Sequence, residues 1–141
     1  MDEVLARDLE FLSNDKDFLS AFSKLQSIAH ETALAKGWWN PPKTFGEQAV
    51  LFHAEISEAV EEYRNGHPPH EVYRNLPPSE FQLKLSEIDE LKPEGVPIEL
   101  ADLIIRVFDS AEHYNMDLIG AILMKMKYNL SRSHRHGGKV I

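Results

Sequence analysis

The sequence predicts an all-α domain of five helices. Three observations carry that prediction. Apolar residues recur at helical spacing through most of the chain. Proline and glycine gather between those stretches, at Gly37 to Pro42, at Gly66 to Pro69 and before Pro97. No stretch reads as a strand. At 141 residues the chain suits one domain, long enough for a core and too short for two.

Residues 2–13 predict a short amphipathic helix with Val4, Leu5, Leu9 and Leu12 on one side. Residues 17–36 predict a longer one, with Phe18, Phe22, Leu25, Ala29 and Thr32 at helical spacing and Gly37 as its C-cap. Trp38-Trp39-Asn40-Pro41-Pro42 is a loop, because paired prolines cannot continue a helix.

Thr44-Phe45-Gly46-Glu47 is a capping box, so a third helix starts there and runs to about residue 65. Phe52, Ile56, Ala59 and Tyr63 form its apolar stripe, and Glu55, Glu58 and Glu62 an adjoining acidic one. Glu61 falls off that stripe. Residues 66–97 are the least regular part, with a short helix expected around 79–90. A connection this long is more often functional than idle.

Pro97 suits the first turn of a fourth helix, which runs to about His113. It is apolar nearly all round, interrupted by Glu99, Asp102, Arg106 and Asp109 on one stripe. Such a helix is central, and its polar stripe is buried or faces a pocket. Asp117 caps the fifth helix, which ends near Ser131. Lys125, Asn129 and Arg132 make a polar stripe on it. Residues 133–141 form a glycine-bearing tail.

Composition excludes several classes. With 43% hydrophobic and 27% charged residues the chain reads as soluble and globular. It has no apolar run long enough to span a bilayer, so no membrane partner is expected. Met1-Asp2-Glu3 lacks the basic start of a signal peptide, and a cytoplasmic location is the expectation. The absence of cysteine excludes thiolate metal sites and a disulfide scaffold. A net charge of −8 argues against nucleic acid as a partner. No Asp or Glu follows Asp117, while Lys125, Lys127, Arg132, Arg135 and Lys139 do. An acidic body with a basic end can hold a metal in one place and phosphates in another.

The chemistry lies in two acid-x-x-acid pairs, Glu55 with Glu58 and Glu99 with Asp102. Residues three apart share a helix face. Four carboxylates gathered in apolar surroundings need a cation among them, and a hard divalent ion takes oxygen ligands. The Lys125 stripe can contact phosphate oxygens. A nucleoside di- or triphosphate with its metal needs both. Blander readings stand beside these. A single acidic pair is usually a solvated face, and so is a stripe like that of Lys125. Arg106 can pair with Asp102 and Asp109. Trp38 and Trp39 read as core or interface more readily than as a ligand platform. His53 reads as a core histidine, and His30 as the same or as a hydrogen-bond partner of a base.

Together, Glu55-x-x-Glu58, Glu99-Leu-Ala-Asp102, Lys125-x-x-x-Asn129-x-x-Arg132 and His136-Gly-Gly-Lys139 resemble the MazG-like family of all-α nucleoside triphosphate pyrophosphohydrolases. The resemblance runs from about Phe22 to the end, leaving 1–14 as an N-terminal extension. It implies a single four-helix-type bundle with an extra N-terminal helix, assembled as a homodimer or homotetramer. It implies Mg²⁺, with Mn²⁺ as a substitute, held by Glu55, Glu58, Glu99 and Asp102. Lys125, Asn129 and Arg132 would contact phosphates or sugar, His136 and Lys139 would assist in substrate binding, and Trp38 or Trp39 would stack on the base. Ala54 stands where many members carry a further Glu, and Glu62, one turn below Glu58, is the candidate to compensate and to orient the attacking water. Which phosphorus is attacked stays open. A di-iron bundle is set aside, because no Glu here has a His three residues later. A helical interaction module with solvated acidic stripes is the non-enzymatic alternative.

Overall fold

The computed structural model describes residues 2–76, 88 and 90–132. Helices dominate it: α1 (Asp2–Asn14), α2 (Lys16–Ala35), α3 (Phe45–Arg64), α4 (Val96–His113) and α5 (Leu118–Leu130). No helix among the described residues is long and apolar enough to cross a membrane.

Each boundary has a local cause. Asp15 accepts from the Asp17 and Phe18 amides at 3.0 and 3.1 Å and starts α2. Gly37, at φ +71, is the left-handed residue one step past the α2 C-cap. The expected capping box at Thr44 is complete. The Glu47 amide donates to Thr44 Oγ1 at 3.3 Å and the Thr44 amide donates to Glu47 Oε2 at 2.7 Å. The Thr44 amide and then the Thr44 hydroxyl, both donating to Glu47 Oε2, hold the Glu47 carboxyl below its ordinary value. Asp117 caps α5 by accepting from the Gly120 amide at 3.0 Å.

α4 is the hub. It packs most extensively on α3 and next on α2, while α5 packs chiefly on α1 and more lightly on α2. Small residues allow the close approach: Ala29 and Ala33 of α2, Ala59 of α3, and Ser110 and Ala111 of α4 are buried. Phe22 meets Phe108 edge to face at 5.0 Å. A polar seam runs alongside. Glu112 accepts from Gln26 Nε2 at 2.8 Å and from Ser27 Oγ at 3.1 Å, and these bonds lower its pKa.

Three expectations need correction. A strand pair is present: β1 (Tyr73–Arg74) and β2 (Pro93–Glu94) run antiparallel, with Tyr73 opposite Glu94 and Arg74 opposite Pro93. Two-residue strands leave no period-2 pattern to read. His53 is exposed rather than a core residue, because α3 turns that side to solvent. α4 is not covered all round: Leu100, Ile104 and Ile105 are exposed. The helix expected around 79–90 lies almost wholly outside the described residues.

Candidate functional site

α3 and α4 bring their acidic pairs together. Glu55, Glu99 and Asp102 each place a carboxylate oxygen within 4.8 Å of the others. Glu55 and Glu99 are each only 3% exposed, and Asp102 is half-buried. Burial is the first cause that raises the Glu99 pKa, with the charges of Glu58, Asp102 and Glu55 adding to it and Lys92 opposing. Asp102 is raised likewise, first by burial and then by Glu55, against Arg106 and Lys92. Both shifts come first from taking the carboxylates out of water, with the neighbouring acids adding to that.

Among the described residues two cations reach the trio. Arg106 Nε donates to Glu55 Oε1, which ties α4 to α3. The alternative pairing of Arg106 with Asp102 and Asp109 is not the contact formed, for the guanidinium crosses to the facing helix. Lys92 Nζ lies 3.9 Å from Glu99 Oε1 and 3.2 Å from Glu94 Oε2.

Glu58 and Glu62 stand outside the trio. Glu58 is exposed. Glu62 accepts from the Tyr73 hydroxyl at 3.0 Å, so the strand pair is fastened to α3. That bond and desolvation raise the Tyr73 pKa, desolvation more. Seven residues of helix set Glu62 about 10 Å along the axis from Glu55.

Beyond Arg106 the site opens into a cavity of about 230 Å³. Trp38, Lys43, Gln48, Arg106 and Asp109 line it together with Ala29, Ala33, Leu51 and Ile105. Trp38 is 52% exposed, whereas Trp39 is 8% exposed and lies behind the cavity. Lys43 Nζ donates to the Trp38 carbonyl, closing the loop on itself. His30 lies against Asp109, and its placement is that of a satisfied interior histidine.

The Lys125, Asn129 and Arg132 stripe lies elsewhere. Lys125 and Arg132 stack over Tyr128 of their own segment, at 4.8 and 5.8 Å from the ring centroid. Asn129 faces α1 in a cavity with Leu5, Leu9 and Leu12. Among the described residues no hydrogen bond or ion pair joins this stripe to the acidic trio. His136 and Lys139 lie outside the described residues. Sequence reading missed Lys92, Tyr73 and the Gln26–Glu112 seam. Lys92 stands seven residues before Glu99 across two prolines and a glycine, where helical periodicity carries no information.

Comparison of the chain with protein-family models, with curated proteins and with solved structures gives no match. The chemical reading therefore rests on the site itself. Three carboxylates sharing one space, two of them buried and two raised in pKa, make an all-oxygen donor set suited to a hard divalent ion. The adjoining cavity has an indole at its rim and an amide, a carboxylate and a guanidinium in its wall, a mixture that suits a flat polar ring system.

Proposed function

We propose that this chain is a Mg²⁺-dependent nucleoside triphosphate pyrophosphohydrolase of the MazG-like kind, converting a (deoxy)nucleoside triphosphate and water into the monophosphate and pyrophosphate. The observation that carries the reading is the trio of Glu55, Glu99 and Asp102, with two members almost fully buried. Among the described residues the three carboxylates meet Arg106 and Lys92, so a divalent ion would relieve the remaining repulsion. Bound there, Mg²⁺ would draw charge from the phosphate oxygens and polarise the phosphorus toward water.

The chain's own groups take the other roles. Arg106 spans the trio and the cavity, so it orients a substrate whose phosphates lie at the acids and whose base enters the cavity. Trp38 offers the exposed ring face. Glu58 orients the water: it stands one turn from Glu55, outside the trio and exposed. Glu62 is the weaker choice, being about two turns away and already accepting from Tyr73. The Lys125, Asn129 and Arg132 stripe is not joined to the trio within one chain. Its phosphate role belongs across an interface between copies, where the four-helix-type bundle would also be completed.

The competing reading, an interaction module with solvated acidic stripes, is disfavoured by the burial of Glu55 and Glu99. Incubation with Mg²⁺ and a panel of deoxynucleoside triphosphates tests the proposal. Monophosphate and pyrophosphate are expected. Nucleoside diphosphate and orthophosphate would reassign the scissile bond. No turnover, with no rise in melting temperature from Mg²⁺ and a non-hydrolysable analogue, would favour the module.

A further inference from the structure

Lys92 is the second cation at the trio, and the chemistry above gives it no task. Its side chain is 62% exposed while that of Glu99, 3.9 Å away, is 4% exposed. The ammonium thus stands at the mouth of the site, a buried carboxylate on one side and solvent on the other.

The backbone beneath it is fixed to both helices that carry the trio. Lys92 directly precedes β2, which pairs with β1, and β1 is fastened to α3 through Tyr73 and Glu62. Gly95 follows β2 at φ +116, and a Cβ there would collide with the Glu71 carbonyl oxygen, so the two segments meet as closely as glycine permits. The Gly95 carbonyl accepts from the Ile98 and Glu99 amides at 2.9 and 3.2 Å, joining the strand pair to the first turn of α4.

We propose that Lys92 is a phosphate-contacting residue of this site, held in place by Glu94 and Glu99 as a counter-cation until a metal takes Glu99. A divalent ion on the Glu99 carboxylate and an ammonium at its present distance repel each other. Lys92 then keeps Glu94 and turns its other N–H donors outward. A compact charge on a flexible stem suits that change of partner. A triphosphate bound at the metal brings acceptor oxygens to the same mouth. The inference rests on the nucleotide reading of the site.

The test uses the full chain with Lys92→Met and Lys92→Arg, two substitutions at an exposed position. Mn²⁺ binding without nucleotide is measured first, by titration calorimetry or electron paramagnetic resonance. Lys92→Met is expected to bind Mn²⁺ roughly two- to fivefold more tightly, because a competing charge is gone from a solvent-screened position. Binding of Mg²⁺ with a non-hydrolysable deoxynucleoside triphosphate is measured next. Here Lys92→Met is expected to weaken Kd about tenfold, and Lys92→Arg to restore most of the affinity. Unchanged or weaker Mn²⁺ binding in Lys92→Met overturns the counter-cation role. Unchanged nucleotide Kd, with wild type binding normally, overturns the phosphate contact alone. A wild-type protein that binds no nucleotide overturns the hydrolase reading and this one with it.

Discussion

Trp39 Nε1 donates to Asp109 Oδ1 at 2.9 Å, and His30 Nδ1 meets the same oxygen at 2.7 Å. The indole and the imidazole thus share one carboxylate oxygen. Trp39 also stacks on His113 with centroids 3.7 Å apart. One buried indole thus pins the loop between α2 and α3 onto α4, and it leaves the neighbouring Trp38 at the cavity rim.

The two tryptophans should therefore separate in experiment. Trp39→Leu removes a buried donor from Asp109 and a large packed ring, at a cost of about 2–4 kcal/mol. Trp38→Leu should cost less than about 1 kcal/mol but raise KM and abolish most of the fluorescence quenching on nucleotide binding. Denaturant unfolding and a fluorescence titration check both. Unaltered KM and base preference in both variants would assign the pair to packing alone.

Two substitutions in the trio should differ in the same way. Asp102→Asn removes a carboxylate whose pKa is raised by burial and by Glu55. The metal-free variant should melt no lower than wild type while turnover falls by at least about a hundredfold. Glu55→Gln should lose turnover as well. It also takes the negative charge from the buried partner of Arg106 while leaving an amide oxygen to accept, at a cost of about 1–3 kcal/mol. Full activity at low Mg²⁺ in either variant would remove that residue from the metal site.

The pH dependence follows from the raised carboxyls. Glu99 and Asp102 have folded-state pKa values above their ordinary ones, so unfolding releases the strain of keeping them ionised. Their contribution to stability is full below the ordinary carboxylate values and is lost as pH rises through the raised ones. Glu112 has the opposite sign: its contribution is present above its ordinary pKa and fades only when pH falls through the lowered folded value. The metal-free protein should therefore gain stability on mild acidification from neutral pH, before Glu112 is protonated. The rise in melting temperature caused by Mg²⁺ should shrink over the same range, since ligands must be deprotonated to bind. Melts with and without Mg²⁺ between pH 7.5 and 5, run as estimates of the window on the order of one carboxylate titration, check both slopes. Asp102→Asn should flatten each.

The helices and the Thr44 and Asp117 caps were legible, because periodicity and capping are local signals; the meeting of Glu55 with Glu99 and Asp102 followed instead from the cost of burying carboxylates without a cation. What stayed hidden depends on which face of a helix meets which neighbour. The Arg106 guanidinium could not be assigned to Glu55, on another helix, from spacing within α4. Asp109 gave no sign that it would take His30 and Trp39. The strand pair that aims Lys92 hangs on one close approach at Gly95, which no pattern in a proline-rich stretch reveals. Where the Lys125 stripe lies relative to the acids depends on α5 packing against α1, which spacing within α5 does not reveal.

That packing leads to assembly. Leu25 and Ile28 of α2 and Ile104 and Ile105 of α4 are exposed around an apolar cavity of about 340 Å³. No large side chain among the described residues is fully buried. A chain with this hydrophobic content leaves much of its apolar surface at 25 cal/mol per Å², roughly, still in water. Contiguous patches of that kind mark interfaces, and identical chains close them most simply by two-fold symmetry. A homodimer, or two such dimers, is the expected state, with the α2–α4 face at its centre. Ile104→Asp places a charge on that face without touching Glu99, Asp102 or Arg106. On a size-exclusion column with light scattering, wild type at micromolar concentration should give twice or four times the chain mass. Ile104→Asp should shift it toward a single chain. A wild-type mass of one chain would refute the argument from exposed surface. An oligomer that Ile104→Asp leaves intact would move the interface to another face.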